Sequence, residues 1–120
     1  EVDVGVRVLA PEHPGEEDGL ALRLARSKDL GHLNGNPFAA PASDPLRVRL
    51  LVDHSIVEAF AQGGRAVGSY PYCRASPEDT YIEVANLGGE EIRINALVHV
   101  LKTANVLPAE EAWEWAEALI

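Results

Sequence analysis

The sequence predicts an all-β fold, an antiparallel β-sandwich of jelly-roll or concanavalin-like type, closed by a short C-terminal helix. Three observations carry that expectation. Apolar and polar residues alternate over several short runs, clusters of glycine, proline and asparagine separate those runs, and no long helical period interrupts the centre of the chain. The 120 residues provide for one domain with a single core, burying roughly two-thirds of the surface that the unfolded chain exposes. The expected division is a sandwich over residues 1–107 and an amphipathic tail over 108–120.

Taken in order, Val2, Val4, Val6 and Val8 alternate with Asp3, Gly5 and Arg7, the period of a half-buried strand. PEHPGEEDG, residues 11–19, is dense in turn formers and acids and reads as an exposed loop. LALRLA, 20–25, alternates again, with Leu20, Leu22 and Leu24 on one side. From Arg26 to Pro45 the periodicity fades and Pro37, Pro41 and Pro45 intervene, which predicts a long connection with one short strand near Phe38. In the centre, Leu46, Val48, Leu50 and Val52 face one way, while Arg47 and Arg49 face the other. Asp53, His54 and Ser55 break the run, and IVEAFA, 56–61, resumes it. Gly63 and Gly64 then supply the positive backbone angles of a tight hairpin before the return strand AVGSY, 66–70. YIEVANL, 81–87, and EIRINALVHVLKT, 91–103, both carry strand periodicity.

The tail PAEEAWEWAEALI differs. Pro108 suits a first helical position, and Glu110 and Glu111 fall where a helix's positive end favours them. Ala112, Trp113, Ala116 and Ile120 form one apolar stripe, widened by Trp115 and Leu119. A helix this short is marginal alone, so it should pack back on the sheets or against a partner, with Trp113, Trp115, Leu119 and Ile120 as interface candidates.

Ten basic residues against 19 acidic ones give a formal charge of −9, which opposes binding to a nucleic-acid backbone. No apolar run approaches the roughly 20 residues needed to cross a membrane. The single cysteine, Cys73, has no internal disulfide partner, and no spacing of Cys, His, Asp or Glu matches a metal site, so neither metal nor cofactor is expected. The start EVDVGVRVL enters a strand at once and reads as a fragment or processed product.

VDHSIVE, residues 52–58, sets four chemically capable side chains inside an apolar run. Asp53, His54 and Ser55 have the residue types of an acyl-transfer triad, yet neighbours on an extended chain point to opposite sides. Asp53 and Glu58 could supply a glycosidase pair, but their odd spacing puts them on opposite faces of an unbroken strand; a turn at His54 would reverse that parity. A metal shared by His54 and Glu58 lacks a third ligand. The structural reading has Asp53 and Ser55 bonding backbone at a strand-to-strand turn, and Glu58 meeting an arginine or an amide beside the core. Tyr70, Tyr72 and Tyr81 read as core or sheet-edge packing, with weak carbohydrate stacking as their functional alternative.

LRVRLLVDHSIVEAFAQGGRAVGS, Leu46 to Ser69, closely resembles the C-terminal β-sandwich domain of family 32 glycoside hydrolases, the invertases, inulinases, levanases and related fructosyltransferases. The likeness rests on Val52, Asp53, Ser55, Val57, Glu58 and Phe60, followed by the hairpin glycines Gly63 and Gly64. A weaker likeness runs from the first strand to INALVHVLKT, which matches the family's final sandwich strand in character. The resemblance implies two packed antiparallel sheets that follow a five-bladed catalytic propeller, in a parent that is secreted or vacuolar. The propeller carries the nucleophilic aspartate, the acid/base glutamate and the transition-state aspartate, and none of its NDPNG-like, RDP or EC motifs occurs here. The expected function is therefore a noncatalytic accessory domain of a sucrose- or fructan-cleaving enzyme, partnered by the propeller or by another copy of itself. A free-standing carbohydrate-binding or protein-interaction module is the alternative. Three departures stand out: the short 20–45 segment where the family has a further hairpin, SYPYCR after the glycine turn, and the helical tail.

Overall fold

A computed structural model describes residues 1–10, 19–72, 76 and 78–101. The expected tail helix, its tryptophans and Cys73 lie outside the described residues. Eight strands follow in chain order: β1 (Val2–Ala10), β2 (Leu22–Ser27), β3 (Leu30–Leu33), β4 (Asn36–Ala39), β5 (Val48–Asp53), β6 (Ile56–Ala61), β7 (Ala66–Pro71) and β8 (Tyr81–Asn86). They form a five-stranded antiparallel sheet ordered β4-β3-β2-β1-β8 and a three-stranded one ordered β5-β6-β7. The all-β sandwich expected from the alternation is the observed architecture.

Alternation decides which side of each strand is buried. Val4, Val6 and Val8 of β1, Leu22 and Leu24 of β2, Leu33 of β3 and Phe38 of β4 meet Val57, Ala59 and Ala61 of β6 in one core. The small residues on β6 let the sheets approach closely, and Leu46, Val48, Leu50 and Tyr70 flank them on the neighbouring segments. Between Arg7 and Ala10 the β1–β8 register shifts, with Leu9 at φ 50°, so the strand bulges, and Ala10 beyond the bulge is buried.

The segment 26–45 is richer in structure than its sequence suggested. Instead of one short strand near Phe38, two tight hairpins fill it. Lys28-Asp29 joins Ser27 to Leu30, and Asn34-Gly35 joins Leu33 to Asn36. Asn34 and Gly35 both have positive φ, 46° and 84°, the geometry that a two-residue hairpin loop demands and that an Asn-Gly pair supplies at low cost. Gly31 lies opposite Phe38, and a Cβ there would meet the ring at 2.6 Å from Cε2, so the glycine makes room for the aromatic side chain.

The reverse holds for 91–101. Its alternation predicts a strand, yet this segment pairs with no described strand, and beyond Ile92 its side chains are exposed. Periodicity gives a segment two faces but no neighbour; a strand also needs a free edge in register.

Candidate functional site

The hairpin β5–β6 carries the family-like run. Its two-residue loop is His54-Ser55, closing between the paired Asp53 and Ile56, with His54 at φ 42°. The loop reverses the chain, and that decides where each side chain points. Val52 pairs with Val57 on the core side, where Val57 is fully buried. Leu51 pairs with Glu58 and Arg49 with Phe60 on the opposite, outer side. Across β6 the same outer rows continue as Glu58 to Ser69 and Phe60 to Val67. The outer face is therefore a patch of Leu51, Ile56, Phe60 and Val67 around Glu58, with Leu51, Ile56 and Val67 exposed and Phe60 half-buried.

Asp53 and Glu58 consequently share one face, diagonal to each other, because the turn reverses the parity of an unbroken strand. They do not form a catalytic pair in a groove: the Asp53 side chain is 81 % exposed at the hairpin tip, with nothing to hold a sugar between it and Glu58. Among the described residues Glu58 has no arginine partner. It lies half-buried on the outer face, with Ser69 Oγ donating toward Oε1 over a long 3.5 Å, rather than beside the core.

The turn also brings together two neighbours that an extended chain would part. His54 Nδ1 stands 2.6 Å from Asp53 Oδ1, the ring donating to the carboxylate. Both are almost wholly solvated, and no bond joins the Ser55 hydroxyl to the imidazole among the described residues, so the nucleophile-to-base link of a triad is missing. Ser55 contributes through its backbone instead: its carbonyl accepts from Tyr72 N at 2.7 Å, tying the chain after β7 to the loop. Asp53 likewise spends its carboxylate on the imidazole rather than on backbone.

At the other end of the hairpin, Gln62, Gly63 and Gly64 all have positive φ, of 48°, 67° and 99°. Gln62 N donates to Arg47 O at 3.0 Å while its side-chain Oε1 accepts from Arg47 N at 2.7 Å, which locks the turn across the strand pair. Arg65 Nη1 donates to Ala39 O at 3.1 Å and so ties the small sheet to β4. An open concavity of about 400 Å³ lies here, lined by Asp44, Pro45, Arg47, Gln62, Gly63 and Arg65. The sequence reading missed it, because Asp44 and Pro45 sit in what looked like a connection; the Gly-Gly turn was the available signal. Among the described residues no three His, Cys, Asp or Glu side chains converge as metal ligands. No helix there is long and apolar enough to cross a membrane.

A two-bond charge pair lies elsewhere, on β1 and β2. Arg23 reaches Asp3 with two bonds, Nε to Oδ1 at 2.9 Å and Nη2 to Oδ2 at 2.5 Å. This guanidinium fork holds the Asp3 carboxyl below its ordinary range, against the opposing pull of desolvation.

Over 45 residues the chain is 49% identical to Beta-fructofuranosidase 1 of Zea mays, a stretch that is 37% of this chain and only 7% of that protein. No solved structure matches. The family described as glycosyl hydrolases family 32, C terminal, matches residues 18–101, from just before β2 through the unpaired segment after β8. With that match covering well over half of its length, the chain belongs to the C-terminal domain family of the family 32 glycosyl hydrolases.

Proposed function

We propose that this chain is a noncatalytic packing domain of a β-fructofuranosidase-like glycoside hydrolase, which covers, stabilises and shapes access to a catalytic propeller. The observation that carries this reading is the outer face of the three-stranded sheet. A solvent-facing sheet side is ordinarily polar, whereas Leu51, Ile56, Phe60 and Val67 give this one an apolar surface beside the carboxylates Asp53 and Glu58. Such a face suits a large, stable neighbour better than a small ligand, since it has no walls. The solvated Asp53-His54 pair at the tip supports a role without bond cleavage.

The test mixes the purified chain with a family 32 catalytic propeller that lacks its own C-terminal domain, and follows the thermal half-life of sucrose hydrolysis. The chain lengthens that half-life, and Leu51→Asp with Val67→Asp, both at exposed positions, abolishes the effect while leaving the circular dichroism of the chain unchanged. Fructose release by the chain alone, or protection that survives the double substitution, overturns the proposal. A second reading, sugar binding, draws on the concavity beside Arg47, Gln62 and Arg65, which offers donors and an acidic acceptor but no aromatic platform. Calorimetric titration with inulin and levan oligomers separates the two.

A further inference from the structure

Three side chains that point inward are nonetheless uncovered. Val84 pairs with Val6 and therefore lies, with Ile82, on the core side of the larger sheet. Val52 pairs with the fully buried Val57 and lies on the core side of the smaller one. All three are between 37 and 46 % exposed. The cause is topological. β7 packs over β3 and β4, so the small sheet, running β7, β6, β5, ends before it reaches β8. It is one strand short, and β5 has no described partner on its far edge, leaving a row of backbone donors and acceptors open.

The segment after β8 has the pattern of that missing strand. Ile92, Ile94, Ala96, Val98 and Val100 alternate with Arg93, Asn95, Leu97 and His99. Ile92 packs against the core, but Val98 and Val100 are 58 % and 94 % exposed: the segment is anchored at one end and leaves its own β5 unpaired. Its departure is fixed by bonds at the preceding turn. Leu87 N and Gly88 N both donate to Asp3 O, at 2.8 and 3.2 Å, Gly88 N also donates to Asn86 Oδ1 at 3.0 Å, and Asn86 Nδ2 donates to Glu90 O at 2.8 Å.

We infer that this margin is a self-association surface, in which residues 93–101 of one chain add as a fourth strand to β5 of a second copy and cover its Val52, Ile82 and Val84. A donor arm and an acceptor edge on the same molecule make the exchange reciprocal, so two copies close about a two-fold axis and leave neither β5 edge open. Charge favours the same partner. A net charge of −9 repels copies in general, yet β5 carries one arginine, Arg49, and one acid, Asp53, and the arm carries Arg93 with no acid, so the surfaces that meet do not add to that repulsion. This margin is distinct from the outer face of β5–β7, and the inference does not depend on the packing role proposed above.

Light scattering after size exclusion, over a range of concentrations of the full chain, reads the outcome together with hydrogen exchange of the 93–101 amides. The expected result is a mass twice the 12.9 kDa of one chain, with those amides protected only where the dimer is populated. Val98→Asp with Val100→Asp raises the half-association concentration at least about tenfold, because pairing would bury two carboxylates. Both positions are exposed, and an unchanged circular dichroism spectrum shows that the monomer still folds. A monomer with unprotected amides, a monomer with protected amides because the arm closes on its own β5, or a dimer that persists in the doubly substituted chain each overturns the inference.

Discussion

Tyr70→Phe should stabilise this domain. Tyr70 sits on the core side of β7, opposite Val57, and its ring packs against the central cluster. The hydroxyl is buried and has no hydrogen-bond partner among the described residues. Beneath the ring lies Gly68, where a Cβ would meet Cε2 at 2.9 Å, so the ring is wedged over a position kept clear for it. A buried hydroxyl without a partner costs about 1–3 kcal/mol relative to one in water. Deleting the oxygen removes that penalty, while the small void it leaves takes back a fraction. The net expectation is a gain of about 1 kcal/mol, which for a chain of this size is a rise in Tm of ~3–6 °C.

Urea unfolding followed by far-ultraviolet circular dichroism measures it, with calorimetry as the check on Tm. The midpoint should move up at constant slope, because the surface exposed on unfolding hardly changes. A loss of about 1 kcal/mol or more would refute the reasoning: the hydroxyl would then have a partner worth keeping, and the core side of β7 would not be the dry surface that its neighbours indicate.

Two further perturbations probe the motif and the charge pair. Val57→Ala removes two methyl groups from a fully buried position and should cost about 2–3 kcal/mol including the cavity, whereas Asp53→Ala at the solvated tip should cost under about 0.5 kcal/mol; chemical unfolding of the pair ranks them, and the reverse order would make the tip the structural element. Asp3, with its folded pKa depressed below the ordinary 3.8 by Arg23, contributes stability that is complete above that value and is lost as pH falls through the lower folded value. Asp3→Asn should therefore flatten the acid limb of Tm against pH, and an unchanged limb would assign it to other carboxylates.

The parts of the fold legible in sequence were those where one strand face is buried and the other wet. Val4 to Val8 and Leu46 to Val52 alternate because one side of each meets the core. The double hairpin at 26–45 was obscured by its length: β3 and β4 have four residues each, too few for a period to register, and Pro37 occupies an edge strand, where a missing amide is tolerated. Its turn chemistry was the better guide, since Asn34-Gly35 specifies a hairpin whatever flanks it. Segment 91–101 failed in the opposite sense. Its period is clear, but pairing depends on which edge stands open, and that is fixed by strands distant in sequence. At the site, the sidedness of Asp53 and Glu58 turned on one residue, His54, whose positive φ no local pattern announces.

The β5–β6 run meets two separate demands, and the pleat keeps them apart. Val52 and Val57 face the core and Glu58 and Phe60 face outward, so substitution on one side leaves the other intact. The inward set specifies how the sheets pack. The outward set adds little burial to the isolated fold, and by exposing Leu51, Ile56 and Val67 it works against solubility. The acid excess counters that penalty through long-range repulsion between copies, while the outer face itself carries Arg49 as well as the acids Asp53 and Glu58. Repulsion therefore keeps copies apart at a distance without concentrating on the apolar face, as the packing role proposed above requires.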